Sequence, residues 1–238
     1  MLPRLILLTV LALAPAGAYN QGNQLYARKD YAGAAAAYRK ALEPGPSAAA
    51  CYNLGNALFK SGQVGRAIVQ YRRAYRLAPR DGDVRANLEF ARGYRADKQL
   101  SAPGPLAQTL DDAFHLLSAR EATLLAAVSS LLASLALALW IVRRRKSAAG
   151  LAVALAAVAL FGFVTQRVWG AEMDARPAVV VVPEVDVLGG PEADARQILL
   201  VHDGTEVRVR ERRGDYLLVQ LPGGSGGWLR AGAVERVY

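Results

Sequence analysis

At 238 residues, with 53% apolar side chains and a mean hydropathy of +0.15, the chain is too apolar for an ordinary soluble domain and points to membrane segments. Its formal charge of +9 is uneven: residues 19–100 carry 14 Lys and Arg against 6 Asp and Glu, residues 101–170 carry 6 against 3, and residues 171–238 carry 8 against 11. The single cysteine, Cys51, excludes an intramolecular disulfide, and no residues have metal-ligand spacing, so neither a metal nor another cofactor is expected.

The chain opens with "MLPRLILLTVLALAPAGA", residues 1–18, in which Arg4 precedes an apolar core from Leu5 to Ala14 and small residues Ala16, Gly17 and Ala18 follow. This pattern predicts a secretory signal cleaved before Tyr19. The alternative is a retained anchor helix, although the apolar run is only about half of the ~20 residues that a bilayer crossing takes.

Residues 19–100 contain an internal repeat. Shifted by 33 positions, "NQGNQLYARKDYAGAAAAYRKALEPGP" falls on "NLGNALFKSGQVGRAIVQYRRAYRLAP", so that Gly22 meets Gly55, Ala34 meets Ala67, Tyr38 meets Tyr71 and Ala41 meets Ala74. A period near 34 predicts paired helices stacked as a solenoid. In the second copy Leu54, Gly55, Leu58, Gly62, Ala67, Tyr71, Ala74 and Pro79 resemble the tetratricopeptide repeat. Gly55 and Ala67 are expected where two helices touch, Tyr71 and Ala74 where a repeat meets its neighbour, and Pro79 ends its helix. Val84, Leu88 and Ala91 then mark one further helix, an incomplete third repeat that caps the stack.

By that resemblance, partner proteins bind the concave face formed by the first helix of each repeat, which here carries Asn20, Asn23, Asn53, Asn56, Lys60 and Arg85. Asn23 and Asn53 occupy positions that hold a peptide carboxylate in some such repeats, but Tyr19 stands where those have a lysine. Arg72, Arg73, Arg76 and Arg80 read either as a solvated helix face or as a surface that receives an acidic protein segment.

Residues 101–121 begin as a Pro/Gly linker and become an amphipathic helix with Leu110, Phe114 and Leu117 on one side; His115, with no second ligand nearby, reads as an interfacial side chain. Ala122–Val142 and Ser147–Gln166 contain no charge, and each is long enough to cross about 30 Å of hydrocarbon. Ala126, Ser130, Ser134 and Ala138 in the first, with Ala152 and Ala156 in the second, predict a tight helical hairpin. Arg143, Arg144, Arg145 and Lys146 form the whole connection. Short cationic loops stay cytoplasmic, so this loop and Arg4 place both flanking domains outside the cytoplasmic membrane, in the periplasm.

After a linker over residues 167–177, residues 178–238 show short alternating runs broken by glycine, as in Val207 and Val209 against Arg208 and Arg210. Such strands predict a small barrel. Gly204, Val207, Tyr216, Val219, Gly227 and Trp228 resemble a bacterial SH3-like domain, which implies binding of cell-wall peptides or proteins. Tyr216 and Trp228 are either the aromatics of such a groove or the barrel core and its cover. "GGSGG", residues 223–227, reads as a hairpin rather than a phosphate cradle, and His202 as a residue serving the Asp203-Gly204 turn.

The fold class expected is therefore multidomain: an all-α tetratricopeptide-repeat solenoid, a transmembrane helical hairpin and a small all-β SH3-like barrel. This order of modules, with "ANLEFAR" after the repeats and "LSAREA" before the first span, resembles the BatE-type proteins of the Bat aerotolerance family. The resemblance implies a non-enzymatic membrane scaffold in the inner membrane whose protein partners are membrane-anchored von Willebrand factor A proteins, alongside membrane lipid. A cell-wall protein that binds peptidoglycan peptides is the alternative. A hydrolase is disfavoured because Cys51 lies inside a repeat and the two histidines are isolated. Nucleic acid is disfavoured because the basic excess lies in a domain expected outside the cytoplasm.

Overall fold

The computed structural model describes residues 17–97, 105–221 and 223–238. The expected signal segment falls outside them except for its last two residues, Gly17 and Ala18. The chain divides into two compact units, one built from residues 17–97 and 175–238 and the other from residues 105–174.

In the first unit the repeat supplies α1 (residues 17–27), α2 (Tyr31–Ala41), α3 (Ala48–Lys60), α4 (Val64–Leu77) and α5 (Gly82–Gly93). Three of these starts are capped by their own sequence. Asp30 accepts from the Gly33 N–H, Ser47 from the Ala50 N–H, and Asp81 from the Asp83 and Val84 N–H groups, satisfying amides that a helix leaves free. Gln63, ahead of α4, makes no such bond. Within each repeat a tyrosine lies on a glycine: a Cβ on Gly22 would stand 2.5 Å from the Tyr38 ring, and one on Gly55 2.6 Å from the Tyr71 ring. Tyr71 thus seals its own repeat, where the sequence predicts a contact with the neighbour; Ala74 does reach forward, packing with Cys51 and Val84 of α5.

Residues 177–236 form seven strands: β1 (Pro177–Val180), β2 (Glu184–Leu188), β3 (Gln197–His202), β4 (Glu206–Arg213), β5 (Tyr216–Gln220), β6 (Gly226–Arg230) and β7 (Val234–Arg236). They pair antiparallel in the order β3-β2-β6-β5-β4-β1-β7. Alternate residues turn inward, so Val180, Val187, Val201, Val207, Val209, Leu217, Val219 and Leu229 make one core. β5 leads into β6 as the expected hairpin, with Gly223 and Gly224 at positive φ.

The seven strands do not close, leaving β3 and β7 at the edges of the small barrel expected from the sequence. The reason lies in the repeat: Arg73 of α4 donates to the Arg236 and Val237 carbonyls, both at 2.8 Å, so α4 covers the β7 end instead of a strand. Val179 and Val237 accordingly join Ile68, Val69, Leu88 and Ala91 in the core of the repeat. A third repeat would pack its second helix against its first; here the sheet stands beside α4 and α5 in its place. The solenoid is capped by a sheet as well as by its half-repeat.

The second unit comprises α6 (Pro105–Phe114), α7 (Ala119–Arg143) and α8 (Lys146–Asp174). Ser118 and Glu121 form a reciprocal capping box that starts α7. Arg144, in the left-handed conformation at φ 51°, turns the chain into α8, and the four cations of the loop are exposed. The helices pair along Ala122, Ser129 and Ala136 of α7 and Ala148, Ala152, Gly162 and Thr165 of α8. The backbones approach closely at Gly162, where a Cβ would lie 2.9 Å from the Ala122 carbonyl oxygen.

The stripe expected from the sequence is only partly used. Ala126 and Ala152 meet the partner helix, whereas Ser130, Ser134, Ala138 and Ala156 are exposed. A four-residue step advances about 40° around a helix and soon leaves the contact face, while a seven-residue step drifts only ~20°. Spacing by sevens from Ala122 therefore stays in contact. Leu124, Val128, Leu131, Leu135, Val153 and Leu160 point outward, so both helices are apolar on their exposed faces as well as long enough to cross a membrane.

Candidate protein-interaction site

The first helices of the repeats, α1, α3 and α5, bring the predicted Asn23, Asn53 and Asn56, together with Asn87, which the sequence reading missed, into a hydrogen-bonded ladder. Asn23 Oδ1 accepts from the Tyr38 hydroxyl at 2.8 Å and from Asn53 Nδ2 at 3.3 Å, and Asn53 Nδ2 also donates to the Tyr19 hydroxyl at 2.9 Å. The same rung recurs one repeat later. Asn56 Oδ1 accepts from the Tyr71 hydroxyl at 2.8 Å and from Asn87 Nδ2 at 2.9 Å, and Asn87 Nδ2 donates to the Tyr52 hydroxyl at 2.9 Å.

Each rung ties three helices and supplies a buried tyrosine hydroxyl with an acceptor. Burial, together with the neighbouring Tyr19 and Tyr26, pushes Tyr38 up to about 12; burial, with Tyr52 and Tyr26 nearby, pushes Tyr71 higher still. Both hydroxyls therefore remain protonated donors at neutral pH. Replacing Asn56 by Ala strands the Tyr71 hydroxyl and is expected to cost about 1–3 kcal/mol. Asn20→Ala, at an exposed position, is expected to stay within ~0.5 kcal/mol of the parent. Thermal melts of the full chain compare the two, and equal effects would deny the rung its role.

The remaining predicted residues differ in availability. Asn20 and Lys60 are exposed, and Arg85 is exposed along its length while its Nη2 donates to the Pro79 carbonyl at 3.3 Å. Sequence reasoning missed the aromatic cluster beside them. Phe59 of α3 packs with Phe90 of α5 and with Tyr94 at centroid separations of 5.6 and 5.1 Å, yet Phe90 is 56% and Tyr94 62% exposed. The available signal was spacing: Phe90 and Tyr94 stand four residues apart, one face of a helix. Asn56 with Phe59 on α3 and Asn87 with Phe90 on α5, each pair three apart, set amide and ring side by side along the α3–α5 seam. Such a strip can hydrogen-bond an extended chain and hold an apolar side chain.

Arg72, Arg73 and Arg76 are neither a solvated face nor a vacant acidic-segment site, because the chain's own sheet and C-terminal residues occupy them. Glu206, at the start of β4, receives Arg92 through both carboxylate oxygens (Nε at 2.8 Å and Nη2 at 3.0 Å), Arg72 at 2.9 Å and Arg95 at 2.9 Å. Burial would raise its pKa, but the three guanidinium groups, Arg92 foremost, hold it below the usual glutamate range. Arg73 also faces Glu235 at 3.4 Å, and Arg76 lies over the Tyr238 ring at 4.8 Å. Arg80 is exposed.

Two side chains reinforce this joint. Asp203, in the turn after β3, accepts from the Gly65 N–H at 3.1 Å, supplying α4 with the cap that its own sequence lacks. Asp97 accepts from the His202 N–H at 2.8 Å and the Thr205 hydroxyl at 2.6 Å and faces His202 Nδ1 at 3.0 Å. His202 thus serves its turn as expected, but with a partner from the repeat.

On the sheet, Tyr216 and Trp228 share one outer face, since Leu218 pairs with Trp228 and Tyr216 with Arg230. Trp228 lies outside the inner core cluster, is only 8% exposed and has the Arg213 guanidinium 5.3 Å from its ring centre; Tyr216 is half-buried. Cys51 is buried inside the repeat, and burial pushes its thiol up, away from the reactive thiolate.

Residues 48–81 match the family model of the tetratricopeptide repeat, a stretch that runs from the first residue of α3 to the N-cap of α5. No curated protein matches the chain. Tetratricopeptide repeats bind proteins, so the matched segment supports a role in protein interaction.

Proposed function

We propose that this chain is a non-enzymatic, membrane-anchored scaffold at the cell envelope, whose repeat and SH3-like sheet bind partner proteins and whose α7 and α8 cross the cytoplasmic membrane as a hairpin. One observation carries the reading. Residues 17–97 and 175–238 flank the two apolar helices in sequence, yet they pack as one unit with a shared core. Segments that share a core lie on one side of a bilayer, which two crossings allow and a single crossing forbids. The cationic loop Arg143–Lys146 supports an orientation with that unit outside the cytoplasm.

The partner face is the concave side of the repeat, with Asn20, Lys60 and Arg85 at its accessible positions, Asn23, Asn53 and Asn56 as its hydrogen-bonded floor, and Phe90 and Tyr94 as apolar contacts. By the resemblance to BatE-type proteins, the partners are membrane-anchored von Willebrand factor A proteins of an aerotolerance or stress system. Peptidoglycan binding through the sheet has less support, since Trp228 is covered and Tyr216 half-buried.

Alkaline phosphatase fused after Tyr238 is expected to be active, and a fluorescent protein that matures only in the cytoplasm is expected to be dark at the same point. Inserted between Arg144 and Arg145, the two reporters should exchange behaviour; the reverse pattern ends the topology. A photo-crosslinker placed at Lys60 should trap a membrane-anchored protein that one placed at Arg210 does not. Equal yields at both positions would remove the groove assignment.

A further inference from the structure

The second unit holds a buried titratable group that neither the repeat nor the topology accounts for. His115, at the elbow between α6 and α7, is 2% exposed and lies edge-on to the Trp169 ring of α8 at a centroid distance of 4.5 Å. The indole is itself fixed, its Nε1 donating to the Leu117 carbonyl at 2.9 Å. His115 Nδ1 stands 2.7 Å from the Asp111 carbonyl oxygen and 3.3 Å from the Asp111 carboxylate, and Nε2 stands 3.3 Å from the Glu172 carboxylate.

A carbonyl oxygen only accepts, so Nδ1 carries a hydrogen. An ionised carboxylate likewise only accepts, so Nε2 has a second hydrogen to give only when the ring is imidazolium. The geometry points to a proton-dependent joint in which His115, held between Asp111 of α6 and Glu172 of α8, fastens α6 to the end of α8 and loosens it when the ring loses its proton.

The charges around the ring agree. Asp111 faces it from α6 and Glu172 from α8, while Glu121 in the first turn of α7 is engaged with the Ser118 backbone and hydroxyl. Burial disfavours the imidazolium, but the Glu172 carboxylate beside Nε2 and the Asp111 carbonyl and carboxylate outweigh it and raise the pKa of His115 above the ordinary histidine value. A group whose pKa is raised by folding stabilises the folded contact below its unfolded pKa and loses that contribution as pH rises through the folded value. The joint is therefore closed below the ordinary histidine value and opens as pH rises through the raised one. The stack of Phe114 on Phe161, 5.9 Å between centroids, also holds α6 to α8 and does not titrate, so loss of the proton loosens the contact without unfolding the hairpin.

The chain has only two histidines, which makes the test direct. The full chain carrying 15N-labelled histidine is titrated in nanodiscs, with His202→Gln identifying the two resonances, while hydrogen exchange reports on the α6 amides. Expected are a His115 midpoint above that of a histidine in an unstructured peptide and exchange in α6 that accelerates through the same midpoint. Glu172→Gln should lower the midpoint while α6 remains protected in acid, and His115→Gln should abolish the pH dependence of α6. A midpoint at or below the peptide value, one indifferent to Glu172→Gln, or α6 exchange without the transition overturns the joint.

Discussion

Replacing Glu206 by Gln is expected to destabilise the unit of residues 17–97 and 175–238 by about 3 kcal/mol, because a buried ion cluster that loses one member leaves its partners unpaired. The carboxylate pairs with Arg72 and Arg95 and takes Arg92 through both oxygens. Glutamine keeps the shape but brings no charge, and the figure stands at the lower end of the usual range because Arg92 and Arg72 retain some contact with water. The acid limb supplies an independent reading. A carboxylate whose pKa folding depresses contributes stability above its unfolded value and loses it as pH falls through the folded value. The parent should thus melt progressively more easily in acid below the ordinary glutamate range, and the variant should have lost that component at every pH. Thermal melts at pH 7 and in acid compare them, and a variant as stable as the parent at neutral pH would show that the joint does not depend on this charge.

Gly65→Ala is the second large effect. A Cβ there would lie 2.2 Å from the Val180 carbonyl oxygen and 2.3 Å from Asp203 Oδ1, far inside van der Waals contact, and the first of these is backbone that cannot turn aside. Either α4 or β1 has to move, which also pulls Asp203 from its capping bond; the cost expected is about 3 kcal/mol, the upper end for overpacking. Gly93→Ala serves as the control, since nothing lies within 4 Å of its Cβ and alanine in a helix is favoured over glycine by roughly 0.5–1 kcal/mol. One substitution, made at two helical glycines, should act with opposite sign. Hydrogen exchange should rise at β1 and β7 in Gly65→Ala while α2 and α3 keep their protection, and unchanged exchange in β1 would disprove the close approach.

Much of the chain was legible because its signals are local. Gly55 where paired helices touch, the end of α4 ahead of Pro79 and the charge-free runs around Arg143–Lys146 are all set within a few turns of chain, and each stands where the sequence puts it. The ladder was half legible. Asparagines at a fixed place in each repeat could be seen, but not that Asn53 bonds Asn23 and Tyr19 across helices, because a polar residue on a helix face looks the same whether it meets solvent or another side chain. The same ambiguity hid the aromatic contact of Phe59 with Phe90 and Tyr94.

By itself, then, the sequence determined a repeat of helix pairs, two apolar helices joined by cations and a run of short strands, since periodicity, glycine and charge act on the nearest turns of chain. Only the tertiary structure decided what those pieces do to one another. The arginine excess of residues 19–100 revealed a need for anions without naming them; Glu206 answers Arg92 from 114 residues away, and Asp203 caps α4 from 138. A net charge fixes the sign of a partner, while the partner's identity depends on which surfaces exclude water together. Here that surface joins α4 and α5 to a sheet that follows two apolar helices later in the sequence, turning what reads as a domain at each end of the chain into one body.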